Sequence, residues 1–187
     1  MRWFTSDTHF FHKNIIDYDM RPFSNVDEMQ ECIIRNWNNT VSKKDIVYHL
    51  GDFAFGNPKR WKAITDRLNG NITLVRGNHD LQNGATLKRL VVDGLPVFND
   101  ICDFDIIPIG GRKVVLCHYP YKRNDGDFRL VEYRPNNTGL WLIHGHTHNL
   151  SPKVEGRMIN VGCMLWDYFP VSENQISHII KENDGII

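Results

Sequence analysis

The feature that most restricts what this chain can fold into is where its polar residues fall relative to its apolar runs. Residues 2–6 read as a first strand and end in Asp7-Thr8-His9; residues 45–50 read as a buried strand and end in Gly51-Asp52. Residues 71–75 form another strand and lead to Gly77-Asn78-His79-Asp80. Residues 113–117 end in His118, and residues 140–143 in His144-Gly145-His146-Thr147-His148. In α/β folds the ligand crevice lies beyond the carboxyl ends of the strands. Five strand ends can therefore deliver side chains to one place, provided the strands point the same way.

The segments between these clusters fit such a fold. Residues 25–39 carry Val26, Met29, Ile33, Ile34 and Trp37 at helical spacing, with Ser24 as the expected cap. Pro58 opens a helix expected through Leu68, which Gly70 stops. A short helix is expected over 84–92. The second half changes character: residues 103–109, 113–117, 140–144, 157–161 and 175–181 read as short β-runs separated by turns, with Gly110-Gly111 as a hairpin signal. Alternation of strand and helix followed by a β-rich region predicts an α/β chain: two mixed sheets packed as a sandwich and flanked by helices. No linker-like stretch divides it, so residues 1–187 are expected to form a single domain.

The residue types at the strand ends have a chemical meaning. Carboxylate, imidazole and amide oxygen suit divalent ions such as Mn, Fe, Zn, Ni or Co. No thiolate occurs in the clusters, which argues against a structural zinc knot. Asp7 and His9 are two apart, as are His146 and His148, so on an extended chain each pair points to one side. Asp52, alone after a glycine, is placed to bridge two ions. Glycines 51, 77 and 145 allow sharp turns or close backbone approach. Singly, most of these signals are ordinary: Asp-x-His is often a cap, and Gly-Asn a turn. Three histidines within five residues at 144–148 are harder to explain as packing, and the whole series in this order is harder still.

Charge excludes one class of partner. Lys plus Arg is 22 and Asp plus Glu is 22, so the formal net charge is zero. Strong non-specific nucleic-acid or membrane binding needs an excess of cations, and none is expected here. The first residues show no charged segment followed by a long apolar run, and no run approaches ~18 apolar residues. A cytoplasmic protein with no membrane partner is the expectation. The four cysteines form no C-x-x-C pair and read as buried, reduced thiols. Nothing in the sequence specifies an oligomeric state.

The series Asp7-x-His9, Gly51-Asp52, Gly77-Asn78-His79-Asp80, His118 and Gly145-His146-x-His148 resembles the full motif set of the calcineurin-like metallophosphoesterases, in order and over about three quarters of the chain. The chain's short form is similar to the small bacterial and phage phosphodiesterases of that group. The resemblance implies a pair of mixed β-sheets face to face with helices on both sides. It also implies two divalent metal ions, Mn being the natural first choice. Asp7, His9, Asp52 and His148 would hold one, and Asp52, Asn78, His118 and His146 the other. A hydroxide bridging the ions would be the nucleophile. His79, oriented by Asp80, would be the general acid, Asp80 alternatively capping the following turn. The implied substrate is a phosphodiester, nucleotidic among others. A phosphomonoesterase or protein phosphatase, and a non-catalytic scaffold of the same fold, are the alternatives.

Several residues lie outside the motif. His12 and Asn14 follow the first cluster and are candidates for touching substrate or capping a helix. Arg21 is a weaker candidate for holding a phosphate, Arg76 is read as structural, and His144 as packing or a supporting hydrogen bond. Residues 119–139 are irregular and charged and follow His118 directly, so they border the site; Tyr121, Phe128 and Tyr133 there are candidates for stacking on a base.

Overall fold

The computed structural model describes residues 1–82, 90–122, 130 and 132–184. The first half runs β1 (Arg2–Thr5), α1 (Ile15–Tyr18), α2 (Val26–Thr40), β2 (Ile46–His49), α3 (Pro58–Thr65), β3 (Asn71–Val75) and α4 (Asn78–Gln82). Then come β4 (Val91–Val92), β5 (Leu95–Pro96), β6 (Asp100–Cys102), β7 (Phe104–Ile109) and β8 (Arg112–Cys117). The chain ends with β9 (Trp141–His144), β10 (Val154–Glu155), β11 (Met158–Asn160), β12 (Val171–Ser172) and α5 (Glu173–Asn183).

Two five-stranded sheets result, ordered β12-β1-β2-β3-β6 and β10-β11-β9-β8-β7. Both are mixed, as expected. In the first, β1, β2, β3 and β6 are parallel and β12 antiparallel; in the second, β8, β9 and β11 are parallel between antiparallel β7 and β10. The registers Thr5↔His49↔Leu74 and Leu116↔Ile143 end neighbouring strands abreast. That is the condition the polar clusters needed: each follows the carboxyl end of its strand.

Alternation within the strands decides which face meets what. Phe4, Leu50 and Val75 from the first sheet pack against Ile107, Ile109, Val114, Leu116, Trp141 and Ile143 from the second. The opposite face of the first sheet puts Val47, Ile72 and Leu74 against Met29, Ile33 and Trp37 of α2 and Trp61 and Ile64 of α3. The opposite face of the second sheet gives Val115, Cys117 and Leu142 to Tyr119 and Tyr121. Each fully buried side chain of this size stabilises the fold by roughly 1.5–3 kcal/mol through removal from water, so the sandwich rests on its interior and not on disulfides; all four cysteines are free.

Local expectations are corrected in three places. Residues 175–181, read as a β-run, lie within α5. Ser172 and Gln175 form a reciprocal capping box, and Ile176 and Ile180, four apart, are the buried stripe. A segment this short and apolar satisfies either period, and the cap decides it. The cap of α2 is Asn25, which accepts from the Glu28 N–H, and not Ser24. The α3 helix ends at Thr65, and Arg67 and Leu68 continue it as a tighter turn with bonds to Ile64 and Thr65. The helix expected over 84–92 lies mostly outside the described residues; its end is strand β4. No described helix is long and apolar enough to cross a membrane.

Candidate functional site

The loops that leave β1, β2, β3, β8 and β9 meet at one end of the sandwich. Asp7, His9, Asp52 and His148 converge so that one ligand atom from each lies within 4.8 Å of the others. The Nε2 atoms of His9 and His148 are 3.2 Å apart, His148 Nε2 is 3.5 Å from Asp7 Oδ1, and His9 Nε2 is 3.7 Å from Asp52 Oδ2. Metal–donor bonds of about 2.0–2.2 Å put neighbouring donors roughly 3.0–3.5 Å apart. The spacing and the chemistry of this donor set therefore fit a divalent cation.

Asp52 reaches a second group. Its Oδ2 lies 3.6 Å from His118 Nε2, which is 3.3 Å from Asn78 Oδ1, and the His118 and His146 rings meet edge-on at 5.1 Å. His118 Nδ1 donates to the Leu50 carbonyl at 2.7 Å, which leaves Nε2 as the atom facing Asp52. All seven sequence-predicted ligands are thus joined by a chain of close contacts, with Asp52 between the two groups.

The backbone is bent to achieve this. Asp7, His9, Asp52, His146 and His148 all have φ between 48° and 69°. Non-glycine residues pay about 1–3 kcal/mol for such conformations and keep them only where the surroundings over-determine them. Here those surroundings are visible. Asp80, fully buried, accepts from the backbone N–H groups of Asp52 (2.7 Å), Gly77 (2.8 Å) and Phe53 (2.9 Å). The sequence reading gave Asp80 to the His79 ring; the structure gives both its oxygens to the backbone that carries Asp52. Two glycines are required by close approach: a Cβ on Gly77 would lie 2.3 Å from Asp52 Oδ1, and one on Gly145 would lie 2.0 Å from Ser6 Oγ and 2.4 Å from Asp7 Oδ2.

Sequence reasoning missed a supporting layer. Asp19 Oδ1 accepts from His148 Nδ1 at 2.8 Å, a carboxylate–histidine pair that fixes the imidazole tautomer and leaves Nε2 toward Asp7. Arg21, the weaker candidate for holding a phosphate, is buried beneath it. It donates to Asp19 Oδ2 at 3.0 and 3.1 Å and to the carbonyls of Asp7 and Thr8. Its donors are turned inward, so it braces the first loop and does not face substrate. Asn160, fully buried, donates to the His148 carbonyl and to Thr147 Oγ1, and so holds the last cluster. No spacing signal marks Asp19 or Asn160; a buried Asp-x-Arg pair close behind Asp-x-His was the one available hint.

The remaining candidates separate. His12 stacks on Phe55 with ring centroids 3.9 Å apart and stands 6.3 Å from His79, at the rim of the site. Asn14 is exposed, and its side chain caps nothing. His144 Nδ1 donates to the Gly145 carbonyl, bracing its own turn. Arg76 pairs with Asp103 at 2.6 Å. Tyr121 is buried and donates to the Leu140 carbonyl, which removes it from the stacking candidates; Phe128 lies outside the described residues, and Tyr133 is exposed.

Burial of so many acids and imidazoles sets their protonation. Burial pushes the Asp7 carboxyl up, but the hydrogen bond and charge of His148, with His118 and His9, hold it well below the ordinary range. Asp52 goes the other way: burial, then the Asp80 and Asp7 charges, push it well above. Burial lowers His9 and His118, and with the His118 charge takes His146 to about 3. His148 resists burial because Asp19 and Asp7 hold its proton, raising it to about 10. Carboxylates crowded together in a dry volume repel one another until a cation arrives, and a bound cation reverses that balance.

Relatives of this chain bear on what the arrangement is. The Methanocaldococcus jannaschii protein MJ1445 is 38% identical over 95% of this chain and 89% of its own length. The gene 66 protein of Mycobacterium phage L5 is 31% identical over 98% of this chain and 97% of its own. Among solved structures, the Aquifex aeolicus protein of unknown function AQ665 superposes with a TM-score of 0.70 at 29% identity, covering 96% of this chain and 99% of that one. Residues 3–177 match the calcineurin-like phosphoesterase superfamily domain, and the chain belongs to that superfamily.

Proposed function

We propose that this protein is a phosphodiesterase with two divalent metal ions. The observation that carries the reading is the buried convergence of Asp7, His9, Asp52 and His148, continued through Asp52 to Asn78, His118 and His146. In this reading the first four residues hold one ion and the last three, with Asp52, the other. When bound, the pair would activate water near neutral pH and neutralise charge on the phosphoryl oxygens.

His79 is the proton donor to the leaving group. Its backbone N–H donates to Asp52 Oδ1 at 3.0 Å, its Nε2 stands 3.9 Å from Asp52 Oδ2, and its side chain is 32% exposed. It therefore sits at the edge where substrate arrives, unlike the buried ligands beneath it. Burial and the His148 charge hold its pKa below the ordinary value. Asp80 supports this by pinning the backbone on either side. Residues 1–187 act as one domain, since a single interior joins the two sheets. A cytoplasmic location and Mn are the working assumptions for assay.

The test is hydrolysis of bis-p-nitrophenyl phosphate and p-nitrophenyl phosphate by metal-stripped protein, with and without Mn. Diester cleavage that requires Mn and disappears in Asp52→Asn is expected. His79→Ala should keep its metal but lose ~10²–10⁴-fold on a dinucleotide. It should lose less on the p-nitrophenyl ester, whose leaving group needs little protonation. Faster cleavage of the monoester would replace this reading with a phosphatase. No turnover of either would favour a scaffold.

A further inference from the structure

A second cavity lies against the site and takes no part in holding the metal ligands. It measures about 310 Å³ and is lined by Arg76, Leu81, Asp103, Cys117, Tyr119 and Tyr133. Its inner wall is Tyr119, whose ring lies 4.9 Å from the His118 ring and 5.0 Å from the His146 ring. The cavity and the Asn78, His118, His146 side of the site thus share a side chain.

Three features of that wall point to a ligand. Tyr119 is only 4% exposed, yet its hydroxyl has no hydrogen-bond partner among the described residues. A buried hydroxyl left unsatisfied costs roughly 1–3 kcal/mol, so an arriving acceptor is rewarded. Tyr133 stacks on Tyr119 at 5.7 Å and 23° and is itself half exposed, extending a flat aromatic surface toward solvent. The Arg76–Asp103 ion pair also lines the cavity, with a planar guanidinium and a carboxylate, the donor and acceptor that hydrogen-bonding ring edges require.

Position selects which part of a substrate would lie there. His79 has His9 and Phe55 as ring neighbours, at 5.4 and 5.0 Å, on the side where His12 stands. Tyr119 abuts His118 and His146 instead. The leaving group must be near the proton donor, so the ester group retained on phosphorus is the one that can turn toward Tyr119. The geometry points to this cavity as the subsite for a planar, hydrogen-bonding ring, of the nucleobase kind, carried on the retained ester group of a phosphodiester. The inference rests on the phosphodiesterase reading above and adds the chemistry of its substrate.

Two diesters with one leaving group test it: thymidine 5′-p-nitrophenyl phosphate and ethyl p-nitrophenyl phosphate, measured with the Mn-loaded full chain. The readout is the ratio of their kcat/KM values, with KM and kcat separated. Wild type should favour the thymidine ester by about tenfold or more, the range that stacking of one base provides, mainly through KM. Tyr133→Ala and Tyr119→Phe should each lower that ratio at least fivefold. Both keep the cores intact, the first because Tyr133 is half exposed and the second because it removes one oxygen; unchanged melting temperatures check this. A wild-type ratio below two, or a ratio that neither variant moves, overturns the subsite while leaving the phosphodiesterase reading standing. Hydrolysis of neither ester overturns both.

Discussion

Alanine at position 145 tests the closest contact in the site. The Gly145 backbone is not in the left-handed region, so an alanine there carries no conformational penalty and its effect is steric alone. The new Cβ would stand 2.0 Å from Ser6 Oγ, 2.7 Å from Ser6 Cβ and 2.4 Å from Asp7 Oδ2. Non-bonded atoms need about 3.5 Å, so Asp7 must retreat by about 1 Å. Ser6 must also leave its bond to the Leu50 carbonyl, now 2.7 Å. Overpacking costs about 1–3 kcal/mol and the lost bond about 1 kcal/mol. The sum of roughly 2–4 kcal/mol lowers Tm by roughly 4–16 °C at this chain length. Under the proposed function, displacing the Asp7 carboxylate by 1 Å costs on the order of 10²-fold in rate. The assay is Tm by calorimetry beside kcat/KM on bis-p-nitrophenyl phosphate with Mn. Adding Ser6→Gly removes two of the three contacts, so the double variant should regain most of the lost Tm while activity stays low, because the Asp7 contact persists. Gly145→Ala with activity within threefold of wild type would falsify the claim that this glycine is needed for Asp7 placement.

Other outcomes follow from the same contacts. Asp19→Ala leaves the Arg21 guanidinium buried without its carboxylate and His148 Nδ1 without its acceptor, so it should cost about 3–5 kcal/mol of stability and ~10–100-fold in Mn affinity; calorimetric Mn titration showing unchanged affinity would reduce Asp19 to a brace of the fold. Trp61→Ala, removing a fully buried ring from the core beneath the first sheet, should lower stability by about 3–5 kcal/mol, read from denaturant midpoints, with Mn affinity unchanged. Asp45 is held at about 2 by its hydrogen bond to the Met1 ammonium, and by bonds from the Ser42 N–H and the Trp3 indole. A depressed carboxyl stabilises above its unfolded pKa of ~3.9 and loses that contribution as pH falls through 2. The Tm gap between wild type and Asp45→Asn should therefore be constant from about pH 5 to about pH 7, where the Met1 ammonium keeps its charge, and close between about pH 4 and 2; a gap that persists at pH 2 refutes it.

How far the sequence reaches differs by residue. The convergence of the polar clusters was legible because each is placed directly after an apolar run, and strand direction does the rest: Asp7, Asp52, Asn78, His118 and His146 follow strands that run parallel to their neighbours and end in register. The glycines were legible for the same reason, since close approach at strand ends leaves no room for a Cβ. Residues 175–181 were not, because seven residues with three isoleucines fit a strand and a helix alike until Ser172 and Gln175 cap one end.

The residue types at five strand ends, and with them the donor chemistry gathered there, were settled by sequence alone, because donor chemistry belongs to the side chain wherever it is placed. The roles of Asp19, Arg21 and Asp80 were decided by the tertiary structure. Asp19 could serve His148 only once residues 129 apart met at 2.8 Å, and Asp80 turned from its neighbour His79 to three backbone N–H groups because burial left those donors no other acceptor. A buried polar group is assigned by what surrounds it, and what surrounds it exists only in the folded chain.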